Sequence, residues 1–176
     1  MLPNLLEGAK LLQKQMPEVQ FAMPRAGTIP LELLQDKIKA SGLHIKITEG
    51  HNYDLFSVAD LALATSGTVT LEAALCGLPC VIVYRTSALN AFIARRVINI
   101  PNIGLPNIVA GRQILPELLQ EDFTPAKLAA TAVELLAPAR RPSLQADLAF
   151  MKQRLGEPGA VGRVAQLILR IAEEKK

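Results

Sequence analysis

Residues 65–79 read Thr-Ser-Gly-Thr-Val-Thr-Leu-Glu-Ala-Ala-Leu-Cys-Gly-Leu-Pro, and the fold turns on how they divide. An apolar run at 60–64 has strand character. Ser66-Gly67-Thr68 then makes a tight turn, and helical spacing follows to Gly77, with Glu72 in the second turn. Such an arrangement favours an anion. Gly67 lets a ligand approach the backbone with no Cβ in the way, while the first-turn N–H groups and the positive end of the helix dipole point at it.

Glu72 lies four residues beyond Thr68 and projects from the same side of the helix, one turn further along. A carboxylate there can accept from two adjacent hydroxyls, such as those of a ribose. A diphosphate at the turn and a ribose at Glu72 together make a nucleotide. The same residue types also have plain uses, since Ser is a common N-cap and Glu on a helix face is usually only solvated.

The 176 residues suffice for one domain with a full hydrophobic core. Half of them are hydrophobic but only 4% are aromatic, with no Trp and a mean hydropathy of +0.26, which suits buried parallel strands covered by Leu/Ala-rich helices. The net charge is +3, but basic residues pair only at Arg95-Arg96, Arg140-Arg141 and Lys175-Lys176, and stacking aromatics are few, so nucleic acid is not an expected partner. Cys76 and Cys80 do not have CxxC spacing, and His44 and His51 are isolated; no metal or cofactor site is expected. Both thiols read as reduced core residues of a cytoplasmic protein. No apolar run is long enough to span a bilayer, and the first residues lack a signal pattern.

In chain order, helices are expected at 3–16 and 30–40 and strands at 19–23 and 44–48, with a turn at 53–59 before the central strand and helix. Residues 80–84 form a strongly apolar strand, 87–98 a helix, and 99–110 a Pro/Gly/Asn-rich loop. Helices at 111–119, 125–136, 143–155 and 160–174 complete the chain. Alternating strands and helices give an α/β fold, a Rossmann-like doubly wound parallel sheet, with 143–176 as a helical tail. A doubly wound domain begins with a strand, whereas the first element here is a helix. The first strand is therefore expected to be missing and the chain to be incomplete.

Ser66-Gly67-Thr68, Glu72 and Gly77-Leu78-Pro79 resemble the donor-nucleotide signature of GT-B glycosyltransferases and of UDP-sugar 2-epimerases. Val83-Tyr84-Arg85, Leu105-Pro106-Asn107 with Ala110-Gly111-Arg112, and Pro116-Glu117-Leu118-Leu119-Gln120 narrow the likeness. In that order and spacing the chain resembles the lipid-A-disaccharide synthases, from residue 1 to beyond 170. The resemblance implies a GT-B C-terminal domain over residues 1–176 that binds UDP-2,3-diacylglucosamine. It also implies metal-free, inverting transfer to the 6-hydroxyl of 2,3-diacylglucosamine 1-phosphate.

Carried over by that resemblance, Ser66, Gly67 and Thr68 hold the diphosphate and Glu72 the ribose, while Asn107, Arg112, Glu117 and Gln120 line the donor side of the cleft. Three of these four have a plain alternative: Asn107 shapes a turn, Glu117 favours a helix start, and Arg112 is solvated. The family's Gly-Ser-Arg loop and Glu before the opening helix, and its N-terminal acceptor domain with the general base, are absent from these 176 residues. No catalytic residue is assigned, His44 and His51 included, and the isolated chain is expected to be inactive. A lipid substrate implies a membrane surface as a partner on the inner membrane, for which Leu89, Phe92, Ile93 and Val97 beside Arg95 and Arg96 are candidates. An epimerase-like fragment and a non-catalytic nucleotide-binding remnant are the competing readings; the epimerase one leaves 105–107 and 116–120 unexplained.

Overall fold

The computed structural model describes residues 1–86 and 102–174. Helix α1 (Leu2–Gln15) carries Pro3 in its first turn, where a missing N–H costs nothing, and buries Leu6, Ala9 and Leu12. Strand β1 (Phe21–Arg25) starts later than the pattern at 19–23 suggests and contains Pro24 instead of stopping before it. Proline is tolerated because, among the described residues, β1 pairs on one side only. Helix α2 (Leu31–Ser41) stops at Gly42, whose φ of 73° supplies the left-handed cap, and β2 (Ile45–Glu49) follows.

Residues expected as a turn at 53–59 form helix α3 (Asn52–Val58). At seven residues it is too short to stand on propensity, and burial of Phe56 in the core anchors it. Strand β3 (Ala62–Thr65), helix α4 (Thr68–Leu75) and strand β4 (Cys80–Tyr84) follow as expected. Part of the expected loop at 99–110 is helix α5 (Leu105–Ala110), started by Pro106 and capped by Gly111 at φ 71°. The expected helix at 111–119 is corrected to strand β5 (Glu117–Leu119), whose three residues are too few to display a period of two. Helices α6 (Pro125–Leu136), α7 (Arg141–Arg154) and α8 (Ala160–Glu174) close the chain. The helix expected at 87–98, with its candidate membrane face, lies outside the described residues.

All strand pairs are parallel, and the strands form two sheets, β1-β2 and β3-β4-β5. This is an α/β, Rossmann-like half with helices over the strands. β4 is the centre: Cys80, Val81, Ile82 and Val83 are fully buried between β3 and β5. Under β1 and β2, Leu6 and Ala9 of α1 meet Ile38 of α2. Gly8 brings α1 against α6, since a Cβ there would stand 2.5 Å from Leu128 Cδ2. The two cysteines differ. Cys80 is buried in β4, and burial pushes its thiol up to about 12, whereas Cys76, at the outward-facing end of α4, is exposed and not a core residue. No helix among the described residues is long and apolar enough to cross a membrane.

Candidate functional site

The parallel register brings the C-terminal ends of β3, β4 and β5 to one edge, with Thr65 beside Val83 and Tyr84 beside Leu119. Ser66 extends the ladder by donating its N–H to the Val83 carbonyl at 2.9 Å. Gly67 is then the N-cap of α4, with no side chain capping the first-turn N–H groups. Its backbone is extended, and nothing within 4 Å would meet a Cβ built on it. Neither φ nor packing within the described chain therefore demands glycine here. Thr70 secures the turn from beneath, its Oγ1 donating to the Gly67 carbonyl at 2.7 Å.

Glu72, half-buried one turn along α4, accepts a long hydrogen bond (3.4 Å) from the Tyr53 hydroxyl of α3. Tyr53 in turn sets its ring edge against Phe56, centroids 6.1 Å apart. Tyr53 was not among the residues expected at the site. Its signal was the spacing of Tyr53 and Phe56, which fits one helix face but is obscured in so short a segment.

The downstream residues form a second layer under the turn. The Ser66 hydroxyl donates to the Ile103 carbonyl at 3.0 Å. The Glu117 carboxylate accepts from Ile103 N–H (2.9 Å), Gly104 N–H (3.0 Å) and Asn107 Nδ2 (2.7 Å), and so caps the start of α5. Gly104 is needed there, because a Cβ would fall 2.5 Å from Ile82 Cδ1 and 3.1 Å from Glu117 Oε1. Asn107 is fully buried; beyond Glu117 it donates to the Leu115 carbonyl (2.8 Å) and accepts from the N–H groups of Ile114 (2.8 Å) and Leu115 (2.9 Å). All its hydrogen-bonding capacity is used within the chain.

Gln120 ends β5 with φ at 50°, a strained position for a non-glycine residue. Its carbonyl accepts from Arg85 Nε (3.3 Å) and Nη2 (3.1 Å), and its Oε1 accepts from Thr86 N–H (3.4 Å). Arg85 also lies 6.0 Å over the Phe123 ring. Arg112 instead turns to α7, where it pairs with Asp147 at 2.6 Å and lies 5.1 Å over Phe150. Thus Ser66, Asn107 and Glu117 belong to one network, Glu72 and Gln120 flank it, and Asp147 and Phe150, against which Arg112 lies, belong to another surface. His44 and His51 are exposed, and His51 pairs with Asp54.

A sequence model of lipid-A-disaccharide synthetases matches residues 1–168. The chain belongs to that family. Among curated relatives, the lipid-A-disaccharide synthase of Syntrophus aciditrophicus is 38% identical over 176 residues, covering 99% of this chain and 46% of the relative. Those of Geobacter sulfurreducens (38% over 172 residues) and Anaeromyxobacter dehalogenans (39% over 173) each cover 97% of this chain and 45% of the relative. The chain therefore spans just under half the length of these synthases. Lipid-A-disaccharide synthase names a glycosyltransferase of lipid A biosynthesis, and the site above lies within the part of the chain that carries the family match.

Proposed function

We propose that this chain is the donor-nucleotide-binding part of a lipid-A-disaccharide synthase and binds UDP-2,3-diacylglucosamine. The observation that carries the reading is the open first turn of α4: Gly67 has no reason within the described chain to be glycine, and Glu72 stands one turn beyond it. A diphosphate fills the space that a Cβ would take and receives the first-turn N–H groups. The Glu72 carboxylate accepts from the ribose hydroxyls, oriented by Tyr53. Asn107, Glu117 and Gln120 act at one remove, by fixing the turns at 103–104 and 120 against the strand ends.

Inverting transfer needs a base on the acceptor hydroxyl, an oriented acceptor and stabilisation of charge on the leaving diphosphate. The chain supplies the third, and the lipid acceptor belongs to a separate domain. Alone it binds donor without turnover, working in the cytoplasm at the inner-membrane surface where its lipid substrates lie. Calorimetry tests this: UDP should bind more tightly than UMP or ADP. Glu72→Ala should weaken UDP binding by roughly tenfold or more, the effect of losing hydrogen bonds to a charged acceptor. Equal affinity of wild type and Glu72→Ala for UDP removes Glu72 from the site, and equal affinity for UDP and UMP removes the diphosphate from the α4 turn.

A further inference from the structure

Arg85 closes the Val83-Tyr84-Arg85 stretch and stands outside the network built on Asn107 and Glu117. It follows Tyr84, the last residue of β4, and β4 runs between β3 and β5. Val83, two residues earlier, accepts the Ser66 N–H at 2.9 Å, so Arg85 leaves the sheet beside the turn that opens α4. Its side chain reaches across to the end of β5. There Nε and Nη2 both donate to one acceptor, the Gln120 carbonyl, and the guanidinium lies over the ring of the buried Phe123.

This clamp is held against a conformational cost. Gln120 keeps φ at 50°, a backbone state that glycine takes freely and glutamine does not. The glutamine side chain is nonetheless used, since its Oε1 accepts from the Thr86 N–H. Tyr84 before Arg85 is fixed by its pairing with Leu119, and Thr86 after it by Gln120. Arg85 is therefore set in direction from both sides.

Its charge, in contrast, is not spent. Arg25 pairs with Glu49 and Arg112 with Asp147, whereas no carboxylate among the described residues pairs with Arg85. One carbonyl takes two of the five guanidinium N–H donors, and the residue is exposed. An oriented guanidinium with donors to spare, at the C-terminal edge of a parallel sheet, suits the oxygens of a phosphate. Tyr53 and Glu72 stand where α3 meets α4, and Arg85 and Gln120 stand where β4 meets β5, with the Ser66-Gly67-Thr68 turn between them.

We infer that Arg85 binds the phosphate of the donor that lies further from the nucleoside, while the α4 turn takes the nearer one. Gln120 is its positioning residue. The inference rests on the donor reading proposed above and names the residue that separates a nucleoside diphosphate from a monophosphate.

Calorimetry of the full 176-residue chain with UDP and with UMP tests it. Arg85→Met keeps an apolar stem over Phe123 and removes the cation. It should weaken UDP by roughly tenfold or more and change UMP by less than about twofold, so that the preference for UDP collapses. Arg85→Lys, which keeps the charge without the fork, should fall between Arg85→Met and wild type. Arg85→Gln carries the same comparison if Arg85→Met does not fold. A merely structural clamp predicts instead a lower urea midpoint with UDP and UMP weakened alike, and that result overturns the inference. Wild type that prefers UDP, with an Arg85→Met chain that prefers it equally, overturns the role of Arg85 alone. Wild type that binds UDP no more tightly than UMP overturns the donor reading and this assignment with it.

Discussion

Replacing Asn107 separates a residue that touches ligand from one that builds the wall behind it. Asn107→Ala leaves the N–H groups of Ile114 and Leu115 without an acceptor and the Leu115 carbonyl without its donor, at a position with no exposure. Each orphaned buried group costs about 1–3 kcal/mol, so with three of them the variant should lose about 3 kcal/mol or more, a large share of the 5–15 kcal/mol that holds a typical domain together. Asn107→Asp keeps the acceptor for both N–H groups but turns an oxygen toward the Leu115 carbonyl and the Glu117 carboxylate, so it should fare no better. Urea unfolding followed by circular dichroism measures the loss, and UDP calorimetry at a temperature where the variants remain folded measures the site. The expected result is a much lower unfolding midpoint with UDP affinity retained by the folded fraction. A wild-type midpoint with UDP binding abolished would refute the reasoning and place the Asn107 amide on the ligand.

Gly104→Ala should destabilise by about 1–3 kcal/mol, because the new methyl overlaps Ile82 Cδ1 in a filled core, and adding Ile82→Val should recover part of that loss. Recovery is read from the midpoints of the single and double variants. With a thiol reagent near neutral pH, Cys76 should label and Cys80 should not until the chain is unfolded, which mass spectrometry of the two peptides decides. Burial raises the Cys80 thiol from 9.0 to about 12, so the native chain keeps a proton that the unfolded chain loses. Stability therefore falls as pH rises from about 9 toward 12, and the stability of wild type relative to Cys80→Val should decline between about pH 8 and about pH 10.5.

The elements readable from residue pattern were those with a long period or strong punctuation: α1, α2 with Gly42 behind it, the run at 80–84, and α6 after Pro125. Three failures share a cause, namely that short elements hold their shape through partners distant in sequence. Helix α3 depends on the burial of Phe56, β5 on pairing with β4, and α5 on the Glu117 carboxylate at its start. At the candidate site, the turn at Ser66-Gly67-Thr68 and the place of Glu72 on α4 were legible because strand, turn and helix are contiguous there. The division of labour among the remaining residues was not. Whether Asn107 faces a ligand or the Leu115 backbone, and whether Arg112 turns to the cleft or to Asp147, depends on where α5 and α7 pack. Residue type and spacing are silent on that.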